Sequence, residues 1–167
     1  MSFENQLGID VADAIEDNMA KNAKRFPVVN EGENNLELNR TLTATVYIIN
    51  GDKVLLHKHK KYNTLFPVGG HIESDELPHE AALREAFEES GLKIRIYDND
   101  DQLELGRVRQ LPKPINLLLE NIGHEKENID FIYFATTDTF NVRPSKGESR
   151  EFYWLTKEEI QVDANIK

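Results

Sequence analysis

The stretch Gly70–Leu92, GHIESDELPHEAALREAFEESGL, decides how this chain is read. It sets Gly70, Glu76, Arg84, Glu85, Glu88, Glu89 and Gly91 at fixed offsets. At about 100° per residue, Arg84, Glu85, Glu88 and Glu89 share an arc of roughly 140° on one helix. Ala82, Leu83, Ala86 and Phe87 fill the opposite arc, so the helix is expected to have an apolar back and an anionic front. Like charges at i,i+4 destabilise a helix by a few tenths of a kcal/mol per pair, roughly. Crowded carboxylates therefore serve helix stability poorly. They suit a hard divalent cation, which takes oxygen ligands.

Outward from this helix, the local signals order themselves. Ser74 or Asp75 is an expected N-cap, Pro78 suits the first turn, and Gly91 suits the C-terminal cap. Before it, Thr41–Asn50 (TLTATVYIIN) is β-branched and reads as a strand. Gly51-Asp52 supplies a turn, and Lys53–Lys60 returns as a second strand, a hairpin. Residues 61–75 read as a loop. After the helix, Leu92–Tyr97, Leu103–Leu111, Ile115–Ile122 and Ile129–Thr137 are strand candidates. A loop over 138–149 leads to a short strand, Arg150–Leu155. Thr156 and Glu159 then form a capping box for a terminal helix. Residues 8–25 read as a further helix, with Leu7, Val11, Ile15 and Met19 in one stripe and acids preceding bases as the helix dipole favours. Pro27 ends it. Residues 1–38 are expected to be an N-terminal helix and linker, and 39–167 one domain.

Composition narrows the function. The chain has 167 residues, 39% hydrophobic and 30% charged, enough for one core and its cover. A net charge of −10 disfavours sequence-independent nucleic-acid binding, which needs Lys and Arg against phosphates. No cysteine is present, which removes disulfides, thiol nucleophiles and thiolate metal sites and is compatible with a reducing cytoplasm. The acidic N-terminus has no long apolar run, so neither a signal peptide nor a membrane span is expected there. The five histidines show no two-His helical spacing that would suit zinc.

Seven matched positions arise by chance with a probability on the order of 10⁻⁸ per window, given ordinary residue frequencies. The pattern resembles the Nudix box, G-x5-E-x7-R-E-U-x-E-E-x-G-U with U a bulky aliphatic residue. Ala86 departs from that pattern by its size, and Asp75 stands where many members carry glycine. Phe66-Pro67-Val68-Gly69-Gly70-His71-Ile72-Glu73 resembles the family's lead-in to the box. Trp154-Leu155-Thr156 with Glu158-Glu159 extends the resemblance over about residues 40–160.

The resemblance implies an α/β fold, a Nudix-type α/β/α sandwich with a mixed β-sheet, here with an N-terminal helical extension. It implies a cytoplasmic pyrophosphohydrolase using Mg²⁺ or Mn²⁺. Members cleave a nucleoside diphosphate linked to another moiety X by attack of a metal-activated water on phosphorus. An anionic helix front and an anionic substrate need cations between them. Glu88 and Glu89 are then the first metal ligands, with the Gly69 carbonyl beside them. Glu85 is a ligand or the general base. Arg84 pairs with Glu76 or a box carboxylate and orients it. Glu73 adds a ligand or an outer contact.

Glu148, in a Glu-containing loop ahead of the Trp154 strand, is the first candidate for a general base or extra ligand. Glu151 is second, with Glu125 and Glu127 as alternatives. Lys58, Lys60 and Lys61 are candidates to hold substrate phosphates, or equally to protect a strand edge. Phe66 and Tyr62 are the better base-stacking candidates; Tyr47, Phe131, Tyr133 and Phe134 read as core, and Trp154 as packing. The N-terminal helix reads as a structural cover or a homodimer contact. The alternatives are a nucleoside triphosphate pyrophosphohydrolase and a noncatalytic ligand-binding module. Isomerase chemistry on a prenyl diphosphate is a further alternative, disfavoured in its cysteine-dependent form because the chain has no cysteine. The expected partner is a small nucleotide-type diphosphate.

Overall fold

The computed structural model describes residues 39–59, 64–98, 104–123, 125–148 and 151–162. The expected N-terminal helix, Lys60, Lys61 and Tyr62 lie outside them. The strands are β1 (Asn39–Asn50), β2 (Lys53–Lys58), β3 (Leu65–Phe66), β4 (Val68–His71), β5 (Arg95–Ile96), β6 (Glu104–Leu105), β7 (Val108–Arg109), β8 (Asn116–Gly123), β9 (Lys126–Thr136) and β10 (Phe152–Leu155). Helix α1 spans Pro78–Ser90 and α2 spans Lys157–Val162.

β1 is the spine. It runs parallel to β9 in unbroken register from Asn39↔Lys126 to Ile49↔Thr136. Its other side is shared: β2 pairs with the C-terminal end and β4 with the middle, both antiparallel. β10 extends the sheet beyond β2, while β8 and β5 pair with β9. The sheet is thus mixed, as expected. β1 is covered on both faces over Val46–Ile49, which is why its sequence there is continuously apolar rather than alternating.

Two apolar clusters sandwich the sheet. Tyr47, Ile49, Val54, Leu56, Ile132 and Phe134 meet Ile160 of α2 on one face. Ala44, Val46, Ile48, Val68 and Tyr133 meet Ala81, Ala82 and Ala86 of α1 on the other. Between β1 and β9, Asp130 is nearly fully buried, and its two carboxyl oxygens accept from the Thr43 and Thr45 hydroxyls at 3.0 and 2.8 Å. Burial raises its pKa.

Several elements differ from expectation. Leu92–Tyr97 contributes only Arg95–Ile96 to the sheet, and the described part of the expected strand Leu103–Leu111 holds a small hairpin, β6–β7, rather than one strand. Gly106, at φ +61°, turns the chain there, and an alternating pattern alone cannot see the turn. The segment read as a loop over 61–75 contains β3 and β4. These are too short for periodicity and are held only by pairing with β2 and β1.

The back of α1 is also rotated from the expected arc. Ala81, Ala82, Ala86 and Ser90 are buried, whereas Leu83 and Phe87 are exposed. Alanines let the helix axis approach the sheet closely, and that approach turns Glu85 and Glu89 towards β4. Ala86, the box's small aliphatic, is fully buried there. A larger side chain would overpack the contact at a cost of about 1–3 kcal/mol.

Candidate active site

The site is assembled by the start and end of α1, the free edge of β4, and the loop before β10. The N-cap of α1 is Leu77, not Ser74 or Asp75. The Leu77 N–H donates to the Glu80 carboxylate at 3.0 Å, and Pro78 opens the first turn. Leucine has no side-chain acceptor, so Glu80 supplies the cap from inside the helix. At the other end Gly91 adopts φ +71°, and its N–H bonds the Phe87 carbonyl.

The register of β4 explains what faces α1. The Ile72 N–H donates to the Leu42 carbonyl across the Thr43↔His71 pair. Thr43↔His71 and Thr45↔Gly69 are therefore the non-hydrogen-bonded pairs of this antiparallel ladder. The N–H and carbonyl of Gly69 and His71 then point away from β1, to the free edge where the α1 side chains stand. Two contacts agree. The Glu89 Oε2 accepts from the Gly69 N–H at 3.0 Å, and Arg84 Nη2 donates to the His71 carbonyl at 3.0 Å. Between them Glu85 lies so close to Gly70 that any Cβ there would collide with its carboxyl.

Arg84 organises the acids. Its Nε and Nη2 bond the two oxygens of Glu76, each at 2.9 Å. Its Nη1 reaches Glu85 Oε1 at 2.7 Å and Glu88 Oε2 at 3.1 Å. Glu76 also accepts from the Glu73 N–H at 3.2 Å. The Arg84 hydrogen bonds hold Glu76 below the usual carboxylate range, and the same bonds raise Arg84 further. One guanidinium thus offsets much of the repulsion between Glu85 and Glu88, a relief the helical arc alone would assign to a metal.

Glu89 is the exception among the box acids: its partner among the described residues is the Gly69 N–H, not a cation. Burial pushes its carboxyl up to about 7, against the Gly69 hydrogen bond; repulsion from Glu85, Glu148 and Glu88 adds to the rise. Glu148, far away in sequence, is thus within electrostatic reach of Glu89. The connection is a strap over the C-terminal end of α1. The Arg143 N–H donates to the Ser90 carbonyl at 2.7 Å and the Ser145 N–H to the Glu88 carbonyl at 2.9 Å. These satisfy helix-end carbonyls that have no partner within the helix. The strap is anchored by Trp154, whose Nε1 donates to the Phe140 carbonyl at 3.1 Å and whose ring meets Phe140 edge-on. The sequence reading did not find this role for Arg143 and Ser145, because a backbone N–H capping a remote helix leaves no residue-type signature.

The other expected site residues fall elsewhere. Lys58 pairs with Glu151 at 3.5 Å across the β2–β10 ladder, and Glu151 also accepts from the Tyr153 hydroxyl. Phe66 stands on β3, three residues before Gly69, with its ring 5.4 Å from that of His59. Glu127 is bound to Arg40 at 2.7 Å, and Glu125 sits in the β8–β9 turn at φ +65°. Lys60 lies outside the described residues.

The donors Glu85, Glu88, Glu89, Glu148 and the outward carbonyl of Gly69 are all oxygens, which fits Mg²⁺ or Mn²⁺ and not a soft metal. Among the described residues no three acidic or histidine side chains are already gathered as a metal-ligand group. The Arg84 bonds engage one oxygen each of Glu85 and Glu88, and a carboxylate has further lone pairs to give.

Comparison with known proteins agrees with this geometry. The NUDIX domain family model matches residues 39–167. A NUDIX-family hydrolase from Clostridium perfringens superposes with TM-score 0.68 at 39% identity, over 77% of this chain and 89% of that one. A MutT protein from Methanosarcina mazei Go1 (TM-score 0.60, 20% identity, 79% and 88% covered) shares the fold. So does a C. elegans Ap4A hydrolase (TM-score 0.54, 19% identity, 73% and 85% covered). No helix among the described residues is long and apolar enough to cross a membrane. With the family model spanning most of the chain and the glycines, acids and arginine of the box meeting at one sheet edge, this protein belongs to the NUDIX hydrolase family.

Proposed function

We propose that the protein is a divalent-cation-dependent hydrolase that cleaves the diphosphate bond of a nucleoside diphosphate linked to another moiety X. One observation carries this reading. Glu89 is fixed on the Gly69 N–H at the free edge of β4, with Glu85, Glu88 and Glu148 near enough to raise its pKa. These are carboxylates held at one sheet edge with a single guanidinium, that of Arg84, bonded to two of them. Glu88, Glu89, Glu85 and the Gly69 carbonyl would hold Mg²⁺ or Mn²⁺. The cation would neutralise charge on the diphosphate and lower the pKa of a water. Arg84 positions Glu85 and Glu88 while Glu76 and the His71 carbonyl hold Arg84. Glu148, delivered by the strap, is the general base or a further ligand. Phe66, on the strand leading into β4, stacks on the nucleobase, and Lys58 and Lys60 hold phosphates when Lys58 releases Glu151. The Ap4A hydrolase among the structural relatives supports a nucleotide substrate through its fold alone. The cysteine-free composition is compatible with a reducing cytoplasm, where we place the reaction.

The test is a panel of nucleoside diphosphate derivatives and nucleoside triphosphates with Mg²⁺, with products identified. A nucleoside monophosphate plus phosphorylated X supports the proposal. Pyrophosphate released from triphosphates identifies the pyrophosphohydrolase alternative instead. Normal turnover by both Glu88→Gln and Glu89→Gln in excess Mg²⁺ would remove the cation site.

A further inference from the structure

Asp130 is a costly residue for which the proposed reaction has no use. It is 4% exposed, and its hydrogen-bond partners among the described residues are two hydroxyls, those of Thr43 and Thr45, rather than a cation. Burial raises its pKa against those two bonds. A carboxylate taken out of water costs stability unless it is well partnered. One of its two hydroxyl donors leads directly to the box. Thr45 is the register partner of Gly69 across the β1–β4 ladder. A Cβ at Gly69 would stand 2.8 Å from the Thr45 Cα and 3.0 Å from its hydroxyl oxygen, so Thr45 fills the space that a side chain at 69 would need.

Thr45 and Gly69 are a non-hydrogen-bonded pair of that ladder, so no N–H···O bond between the two fixes their spacing. The contact of the Thr45 side chain with Gly69 fixes it instead. A threonine χ1 is restricted to a few rotamers, and the 2.8 Å bond to Asp130 selects one. On its other side Gly69 gives its N–H to Glu89 at 3.0 Å. We infer that Asp130 and Thr45 are positioning residues for the cation site: Asp130 locks the Thr45 side chain behind Gly69, and Thr45 sets where the Gly69 N–H meets Glu89 and where the Gly69 carbonyl points.

The consequence for a metal rests on the cation site proposed above, whereas the hydrogen bond being positioned exists without the metal. Thr43 supplies the contrast. It gives the same carboxylate a hydroxyl bond at 3.0 Å, but its register partner on β4 is His71, not Gly69. If Asp130 served only to tie β1 to β9, the two threonines would be equivalent.

The test reads the Gly69 amide in the full chain without metal. Its hydrogen exchange is followed by NMR against that of Ile72, whose N–H bonds the Leu42 carbonyl in the same ladder at 2.9 Å. General loosening of the fold speeds both amides. Thr45→Val is expected to speed exchange at Gly69 by ~10-fold relative to Ile72, about the net worth of one hydrogen bond. It is also expected to weaken binding of Mn²⁺, read from the signal of the free ion, by ~10-fold, the lower end of what partners behind a metal ligand contribute. Thr45→Ser, which keeps the hydroxyl, is expected to restore both, and Thr43→Val to leave both unchanged. Asp130→Asn is expected to speed Gly69 exchange severalfold in the parent and to add nothing in the Thr45→Val background, as residues acting in series do. Equal effects of Thr43→Val and Thr45→Val overturn the inference. So does Gly69 exchange that changes only in step with Ile72, or an effect of Asp130→Asn that persists in full without the Thr45 hydroxyl. A parent chain that takes up no Mn²⁺ refutes the cation reading alone, and the ratio of the two amides still decides the positioning.

Discussion

Glu89→Gln separates what the acid cluster does for stability from what it does for function. The Glu89 carboxyl is raised from 4.5 to about 7, first by burial and then by its acidic neighbours. The gap corresponds to ~3 kcal/mol by which the fold disfavours the ionised form. The sign follows from proton counts. Below the unfolded value of 4.5 both states keep the proton, and Glu89 contributes nothing. Between 4.5 and about 7 the unfolded chain has released its proton and the folded one has not, so stability falls as pH rises. Above about 7 the full penalty applies. Glutamine keeps an oxygen for the Gly69 N–H and removes the charge. In EDTA at pH 8 the variant should therefore be more stable than the parent by up to ~3 kcal/mol, a rise of ~5–10 °C in Tm for a chain of this size. The advantage should shrink as pH approaches 5. Urea unfolding of both proteins between pH 5.5 and 8.5 measures it. With excess Mg²⁺ the parent should gain stability and the variant much less, while the variant loses hydrolytic activity. Parallel pH curves, or no gain at pH 8 in EDTA, would refute the claim that Glu89 is an uncompensated charge.

Arg84→Lys keeps one charge but cannot bond Glu76, Glu85, Glu88 and the His71 carbonyl together, since that needs a planar fork of donors. It is expected to lower kcat by ~100-fold with a loss of only ~1–2 kcal/mol in stability, read by steady-state kinetics and urea unfolding. Gly91→Ala meets two obstacles, a left-handed φ of +71° and the Arg143 carbonyl against its Cβ. It should cost ~2–3 kcal/mol and, on the proposed role of Glu148, also reduce activity, because the strap that leads to Glu148 rests there. A Tm within about 1 °C of the parent would show that the strap is not seated on Gly91.

Much of this fold is written locally. The β-branched run of β1, the Gly51-Asp52 turn, Pro78 and Gly91 at the ends of α1, and the Thr156/Glu159 cap of α2 each follow from a residue's own conformational preference. The reciprocal bonds of that last cap are formed, at 2.8 and 3.3 Å. The spacing of the box acids was legible because a helix fixes its own geometry. The burial of α1 was not. Periodicity chose Leu83 and Phe87 for the core by hydrophobicity, yet the close approach of the sheet favoured the small Ala81 and Ser90. β3 and β4 were invisible for a related reason: strands of two and four residues owe their existence to a partner strand, not to their own pattern.

The sequence by itself determined the element types, the box helix and the chemical identity of its acids, because backbone preference and side-chain chemistry are properties of a residue and its near neighbours. Tertiary structure alone decided that Glu89 is buried against a backbone N–H rather than a guanidinium, which edge of β4 faces it, and that the segment carrying Arg143 and Ser145 caps the end of α1. Burial, strand register and long-range electrostatics depend on distances through space, and those exist only once the chain has closed on itself.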